Sequence, residues 1–184
     1  MTLVSYYKHR PEFDDRRHAY LRIPRIALDI DDVLADFIPT WCDYHKQPMP
    51  TAWQFDRVIM DKFNDMRSKE QLNDFYLGIP VKTKPEDIPF EPCLYVTARP
   101  VDSAITEQWL DKHGFPAAKV CTVGVGQSKA ECLKEHKIDI FVDDNFNNFV
   151  ELNNAGVCTY LFDACHNQRY NVGYKRIKSL RELI

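Results

Sequence analysis

Between Arg25 and Phe37 the chain reads RIALDIDDVLADF, and no other stretch restricts the fold as much. Ile26, Ala27 and Leu28 form an apolar run suited to a buried strand. Three carboxylates follow at once: Asp29, Asp31 and Asp32. At the end of a buried strand they lose hydration and repel one another. A fold tolerates that where a cation is bound or where the carboxylates do chemistry. Residues i and i+2 of a strand share a face, so Asp29 and Asp31 are placed to point into one site. The alternative is an acidic N-cap for a helix starting near Leu34, but a cap uses one carboxylate, not two on one face.

The rest of the chain alternates strands and helices. Strands are expected over residues 25–30, 93–96, 119–123, 138–142 and 157–162. Helices are expected over 36–44, 59–66, 68–75, 103–112, 128–136 and 147–154, with a last one near 179–183. Ser68 with Gln71 has the form of a capping box, and Gly114 stands where a left-handed residue closes a helix. This alternation predicts an α/β fold with a doubly wound parallel sheet. Residues 1–35 and 81–184 form the core of that reading. Residues 36–80, mainly helical and rich in aromatics, form an insertion after the first strand. Residues 1–24 carry a basic-aromatic patch at 6–10 and a charged cluster at 14–18. They are either an arm or a segment packed across the core, with no assigned role.

In such sheets, ligands bind at the carboxyl edge of the strands. Asp29 and Asp31 fall there after the first strand, Thr97 after the second, and Asp143 with Asp144 after the fourth. That set suits phosphate chemistry. Asp29 can attack phosphorus, and Asp31 can protonate the leaving oxygen and then activate water. A hard cation such as magnesium takes oxygen ligands, here Asp29, the carbonyl of Asp31, and one or both of Asp143 and Asp144. Thr97 can donate to a phosphate oxygen or simply end a strand. Lys129, at a helix start that the dipole disfavours, can face phosphate or water. Asp143 and Asp144 can also serve as a helix cap, although Asn145 and Asn147 are available for that.

Composition removes several classes. A net charge of -3 gives no electrostatic case for binding a polynucleotide. No apolar run approaches the length of a membrane span. The polar, mixed-charge start carries no expectation of a secretory leader. The six cysteines, at 42, 93, 121, 132, 158 and 165, include no Cys-x-x-Cys pair. They are expected to be reduced core residues of a cytoplasmic protein. The oligomeric state is open, a homodimer included.

The four acid, threonine, lysine and acid positions resemble the motifs of the haloacid dehalogenase (HAD) superfamily of phosphotransferases. They are DIDDV with Asp29 and Asp31, LYVTARP with Thr97, GQSKAECLKEH with Lys129, and IDIFVDD with Asp143 and Asp144. The resemblance covers residues 25–162 and implies a magnesium-dependent phosphatase with a HAD-like core. It makes the insertion a C1-type cap, and Thr97, Ala98 and Lys129 the phosphate contacts. A narrower resemblance is to the 5'(3')-deoxyribonucleotidases, carried by VLADF, FYLGIP and LFDACHNQRY. It implies a small nucleotide substrate, with Phe37, Trp53 and Phe55 enclosing the base. Asp32 stands where many members have glycine, and Thr-Ala-Arg-Pro replaces the Thr-Ser-Pro of the better-known members. His166 and Cys165 are assigned no catalytic role. The alternatives are a HAD phosphatase of another small ester or a nucleic-acid end, and a catalytically silent ligand-binding relative.

Overall fold

The computed structural model describes residues 23–53 and 56–183. Six strands make one wholly parallel sheet. They are β1 (Ile26–Leu28), β2 (Leu94–Thr97), β3 (Lys119–Thr122), β4 (Ile140–Asp143), β5 (Cys158–Phe162) and β6 (Arg176–Ile177). The order is β3-β2-β1-β4-β5-β6. The protein is therefore an α/β doubly wound, Rossmann-like fold. Strand order reverses between β1 and β4, which opens a crevice beyond their carboxyl ends. Both central strands deliver aspartates there. β1 and β2 are buried throughout, which is why they read as unbroken apolar runs.

Helices α4 (Ser103–Lys112), α5 (Ala130–Glu135) and α6 (Phe146–Asn154) make the crossovers. Asp102 caps α4 by accepting from the Ala104 amide at 2.9 Å. Gly114 closes it at φ +74, a left-handed conformation that glycine adopts without a Cβ penalty. Asn145 caps α6 through the Asn147 amide at 2.9 Å, so the paired acids before it are not spent on capping.

Between β1 and β2 lie α1 (Phe37–Tyr44), α2 (Arg57–Ser68) and α3 (Leu72–Gly78). Pro39 falls in the first turn of α1, where its missing N–H costs nothing. The chain leaves for this insertion and returns from it side by side. Ala35 pairs with Val81, and the Asp36 amide donates to the Pro80 carbonyl at 2.9 Å. One apolar cluster runs through both parts, including Tyr95 and Trp109 below and Trp41, Phe63 and Phe75 above. The Trp109 indole adds a hydrogen bond to the Ile79 carbonyl at 2.8 Å.

Some expectations are corrected. Ser68 ends α2 rather than opening a helix: its hydroxyl donates back to the Asp65 carbonyl at 2.7 Å. Glu70 turns the chain at φ +57, and α3 starts only at Leu72. The last helix is a 3-10 turn, Leu180–Leu183, preceded by the two-residue strand β6, too short to show a period. Cys121 on β3 and Cys132 on α5 lie side by side, and Cys165 is exposed rather than a core residue. Among the described residues no helix is long and apolar enough to cross a membrane.

Candidate active site

Asp29 follows β1 directly and is tied to β4, its amide donating to the Val142 carbonyl at 2.9 Å. One carboxylate oxygen accepts from the Ile30 amide at 2.7 Å. The other meets the Lys129 ammonium at 2.7 Å. Burial raises the Asp29 carboxyl well above its ordinary range. Lys129 pulls it down without cancelling that rise, and the charges of Asp143 and Asp144 add to it.

Lys129 precedes α5 and turns inward, 4% exposed, with Asp143 at 2.8 Å as its second partner. Burial alone would lower its pKa, but Asp143 and Asp29 outweigh burial and hold it raised and charged. Asp143 is the most heavily engaged of these acids. Its Oδ2 also accepts from Asn148 at 3.0 Å, and its Oδ1 from the Asn145 amide at 2.7 Å. Asp144 instead lines the cavity. Its Oδ2 lies 2.8 Å from His166 Nε2, without the angle of a hydrogen bond.

Asp31 stands apart from this cluster. Its Oδ1 accepts from Arg99 Nε at 2.9 Å and Nη2 at 2.6 Å. Arg99 is buried between the Tyr76 ring of α3 and the Trp109 ring of α4, at 4.9 and 5.3 Å from their centroids. Its amide donates to Thr97 Oγ1 at 3.2 Å, which leaves the threonine's own proton for another acceptor. Asp32 sits at φ +56, in the left-handed region where aspartate is tolerated far better than bulky residues. It is Asp32, not Asp29 or Asp31, that caps α1, accepting from the Ile38 amide at 3.1 Å.

Asp29, Asp31, Asp32, Thr97, Ala98, Lys129 and Asp144 thus line one cavity of about 50 Å³, with Phe37, Trp53 and Tyr76 as its aromatic wall. A groove of about 840 Å³ adjoins it across the Asp31–Arg99 pair. Phe37 also packs against Trp41, Trp53, Phe75 and Tyr76, so it belongs to the insertion's aromatic cluster as well as to the cavity wall. Phe55 lies outside the described residues, as do residues 1–22. Arg99, Tyr76 and Asn148 were given no site role in the sequence, and His166 was named there only without a catalytic one.

The donors fit a hard cation. Asp29, Asp143 and Asp144 place carboxylate oxygens within 4.8 Å of one another, all three buried. Lys129 pairs with Asp29 and Asp143, Arg99 with Asp31, Lys82 lies 3.8 Å from Asp32, and His166 lies 2.8 Å from Asp144.

No family model matches the chain. A stretch of 77 residues, 41% of the chain, is 34% identical to "Putative nucleotidase YqfW" of Bacillus subtilis (strain 168). The match spans 39% of that protein's length. The likeness is thus to part of a protein described as a putative nucleotidase.

Proposed function

We propose that this chain is a magnesium-dependent phosphatase of nucleoside monophosphates, working through an aspartyl-phosphate on Asp29. The observation that carries this reading is the meeting of Asp29, Thr97, Lys129 and Asp144 around one small cavity at the point where strand order reverses. Asp29, the carbonyl of Asp31, and Asp144 would hold the cation. Asp144 is favoured over Asp143, which already accepts three hydrogen bonds and does not line the cavity. Magnesium supplies charge neutralisation between the attacking carboxylate and the phosphoryl group.

The remaining roles belong to the chain. Asp29 forms a bond to phosphorus as the ester P–O bond breaks. Asp31 gives its proton to the departing alcohol from Oδ2, the oxygen that Arg99 does not hold. Asp31 then takes a proton from the water that attacks the aspartyl-phosphate, which releases phosphate and restores Asp29. Thr97, the Ala98 backbone and Lys129 steady the phosphoryl oxygens. Residues 36–80 serve as the cap over a core that includes 23–35 and 81–183, hinged where Ala35 and Val81 run together. The cavity of about 50 Å³ holds a phosphate-sized group, well short of the ~300 Å³ and more of most ligand pockets, so a nucleoside enters with the cap displaced.

Phosphate release should cease with a chelator and return with magnesium, calcium restoring it poorly because its geometry is looser. A panel of nucleotides, sugar phosphates and phosphorylated DNA ends should favour nucleoside monophosphates. Turnover by metal-free protein, or a preference for another class, would overturn the corresponding part of the reading.

Trp53 and Phe55 are assigned to the base. Trp53→Ala should weaken kcat/KM on a nucleoside monophosphate by ~1–3 kcal/mol, the scale of base–aromatic stacking, and Phe55→Ala should act similarly. Hydrolysis of p-nitrophenyl phosphate should fall much less. Equal losses on both substrates, with earlier melting, would make these rings part of the cap's own core.

A further inference from the structure

We propose that Asp32, Asp144 and His166 form a second cation site beside the all-oxygen cluster. It would take a divalent ion that accepts nitrogen as well as oxygen, such as Zn2+, Co2+ or Mn2+, through one imidazole nitrogen and two carboxylates. The proposal shares Asp144 with the phosphatase reading but does not depend on it.

His166 carries the case. The side chain is 3% exposed, and neither ring nitrogen has a hydrogen-bond partner. Burying an imidazole that way is costly unless something outside the protein completes it. Nε2 is nevertheless aimed at the acids, 2.8 Å from Asp144 Oδ2. The loop holding the ring is firmly pinned. Asn167, its neighbour, donates to the Asp144 carbonyl at 2.7 Å and to the Phe162 carbonyl at 2.8 Å. Arg176 donates to Asn167 Oδ1 at 2.7 Å. The ring is thus held in place by its surroundings, as a ligand must be.

Asp32 completes the set. It is 2% exposed, and its left-handed backbone turns the carboxylate inward. Its oxygens accept from the Ile38 amide, at 3.3 and 3.1 Å, with Lys82 at 3.8 Å. A carboxylate offers about four acceptor positions, so lone pairs remain for a cation. The three ligand atoms lie within 4.8 Å of one another. A nitrogen donor distinguishes this site from the Asp29, Asp143 and Asp144 group. Imidazole suits zinc and its transition-metal neighbours, whereas magnesium keeps to oxygen.

The test is spectroscopic and uses no turnover. The full chain, freed of metal, is given excess magnesium to fill the all-oxygen cluster, then one equivalent of Mn2+, and its electron spin echo modulation is recorded. Coupling to 14N is expected in the wild type, changing to the 15N pattern when histidine is labelled and vanishing in His166→Gln. Asp32→Asn keeps both the imidazole and an oxygen to cap α1. This second variant should bind Mn2+ at least tenfold more weakly, and it serves even if His166→Gln does not fold. Absence of nitrogen coupling, coupling that survives in His166→Gln, or unchanged Mn2+ affinity in Asp32→Asn would overturn the site and reduce His166 to an ion-pair partner of Asp144.

Discussion

Asp29→Asn should abolish phosphate release while leaving the fold intact. Loss of a catalytic nucleophile costs on the order of 10⁴-fold or more in turnover. The amide keeps the carboxylate's shape and an oxygen to accept from the Ile30 amide. Lys129 keeps Asp143 at 2.8 Å, so its charge stays paired. The variant should be at least as stable as the wild type in chelator, because it removes a carboxylate that burial and two like charges oppose. The sign can be followed with pH. Asp29's folded pKa is raised, so its contribution to stability is full below the ordinary carboxylate range and is lost as pH rises through the raised value. The variant does not titrate there. Its melting advantage should therefore be small in acid and widen as pH climbs. Near wild-type turnover would exclude the aspartyl-phosphate route, and an advantage that grows in acid would exclude the electrostatic account of Asp29.

Strand and helix order were legible because each central strand is an unbroken apolar run ended by acid or threonine, a pattern that comes from burial on both faces. Thr97 and the paired acids stood out because charge or hydroxyl at a strand's carboxyl edge has few structural uses, and Lys129 because the dipole disfavours a lysine at a helix start. Other contacts were hidden. Arg99 meets Asp31 across 68 positions of sequence, and the rings of Tyr76 and Trp109 that flank it come from two different helices. No local period records such a contact. The division of labour between Asp143 and Asp144 was equally invisible. It depends on Asn148 and the Asn145 amide reaching the first and on His166 lying beside the second. The capping-box reading at Ser68 failed because Glu70 reverses the chain through a left-handed turn, which composition does not mark at a glutamate.

Lys129→Met should produce the largest loss of stability of any single change at the site. Methionine matches the length of the lysine stem, so packing against the Phe141 ring, 5.3 Å from the ammonium, is largely kept. The charge is not replaced. Asp29 and Asp143, both buried, lose their shared cation at 2.7 and 2.8 Å. Breaking a buried pair by removing one partner costs ~3–5 kcal/mol, since the other charge stays desolvated and unpaired. Here two carboxylates are left behind, and Asp143 retains only neutral donors, Asn148 and the Asn145 amide. Protonation is the escape. Both carboxyls are raised even with lysine present, burial being the leading cause, and without it they rise further. The deficit should therefore be greatest at neutral pH and shrink as pH falls toward the ordinary carboxylate range. Denaturant melts of wild type and variant in chelator, at pH 5 and pH 7.5, measure it. Asp29→Asn added to Lys129→Met should recover part of the loss, because it removes one of the stranded charges. The two changes should accordingly be non-additive, as expected for groups in contact. A Lys129→Met protein as stable as the wild type at both pH values, with no coupling to Asp29→Asn, would mean that the ammonium does not hold these carboxylates together.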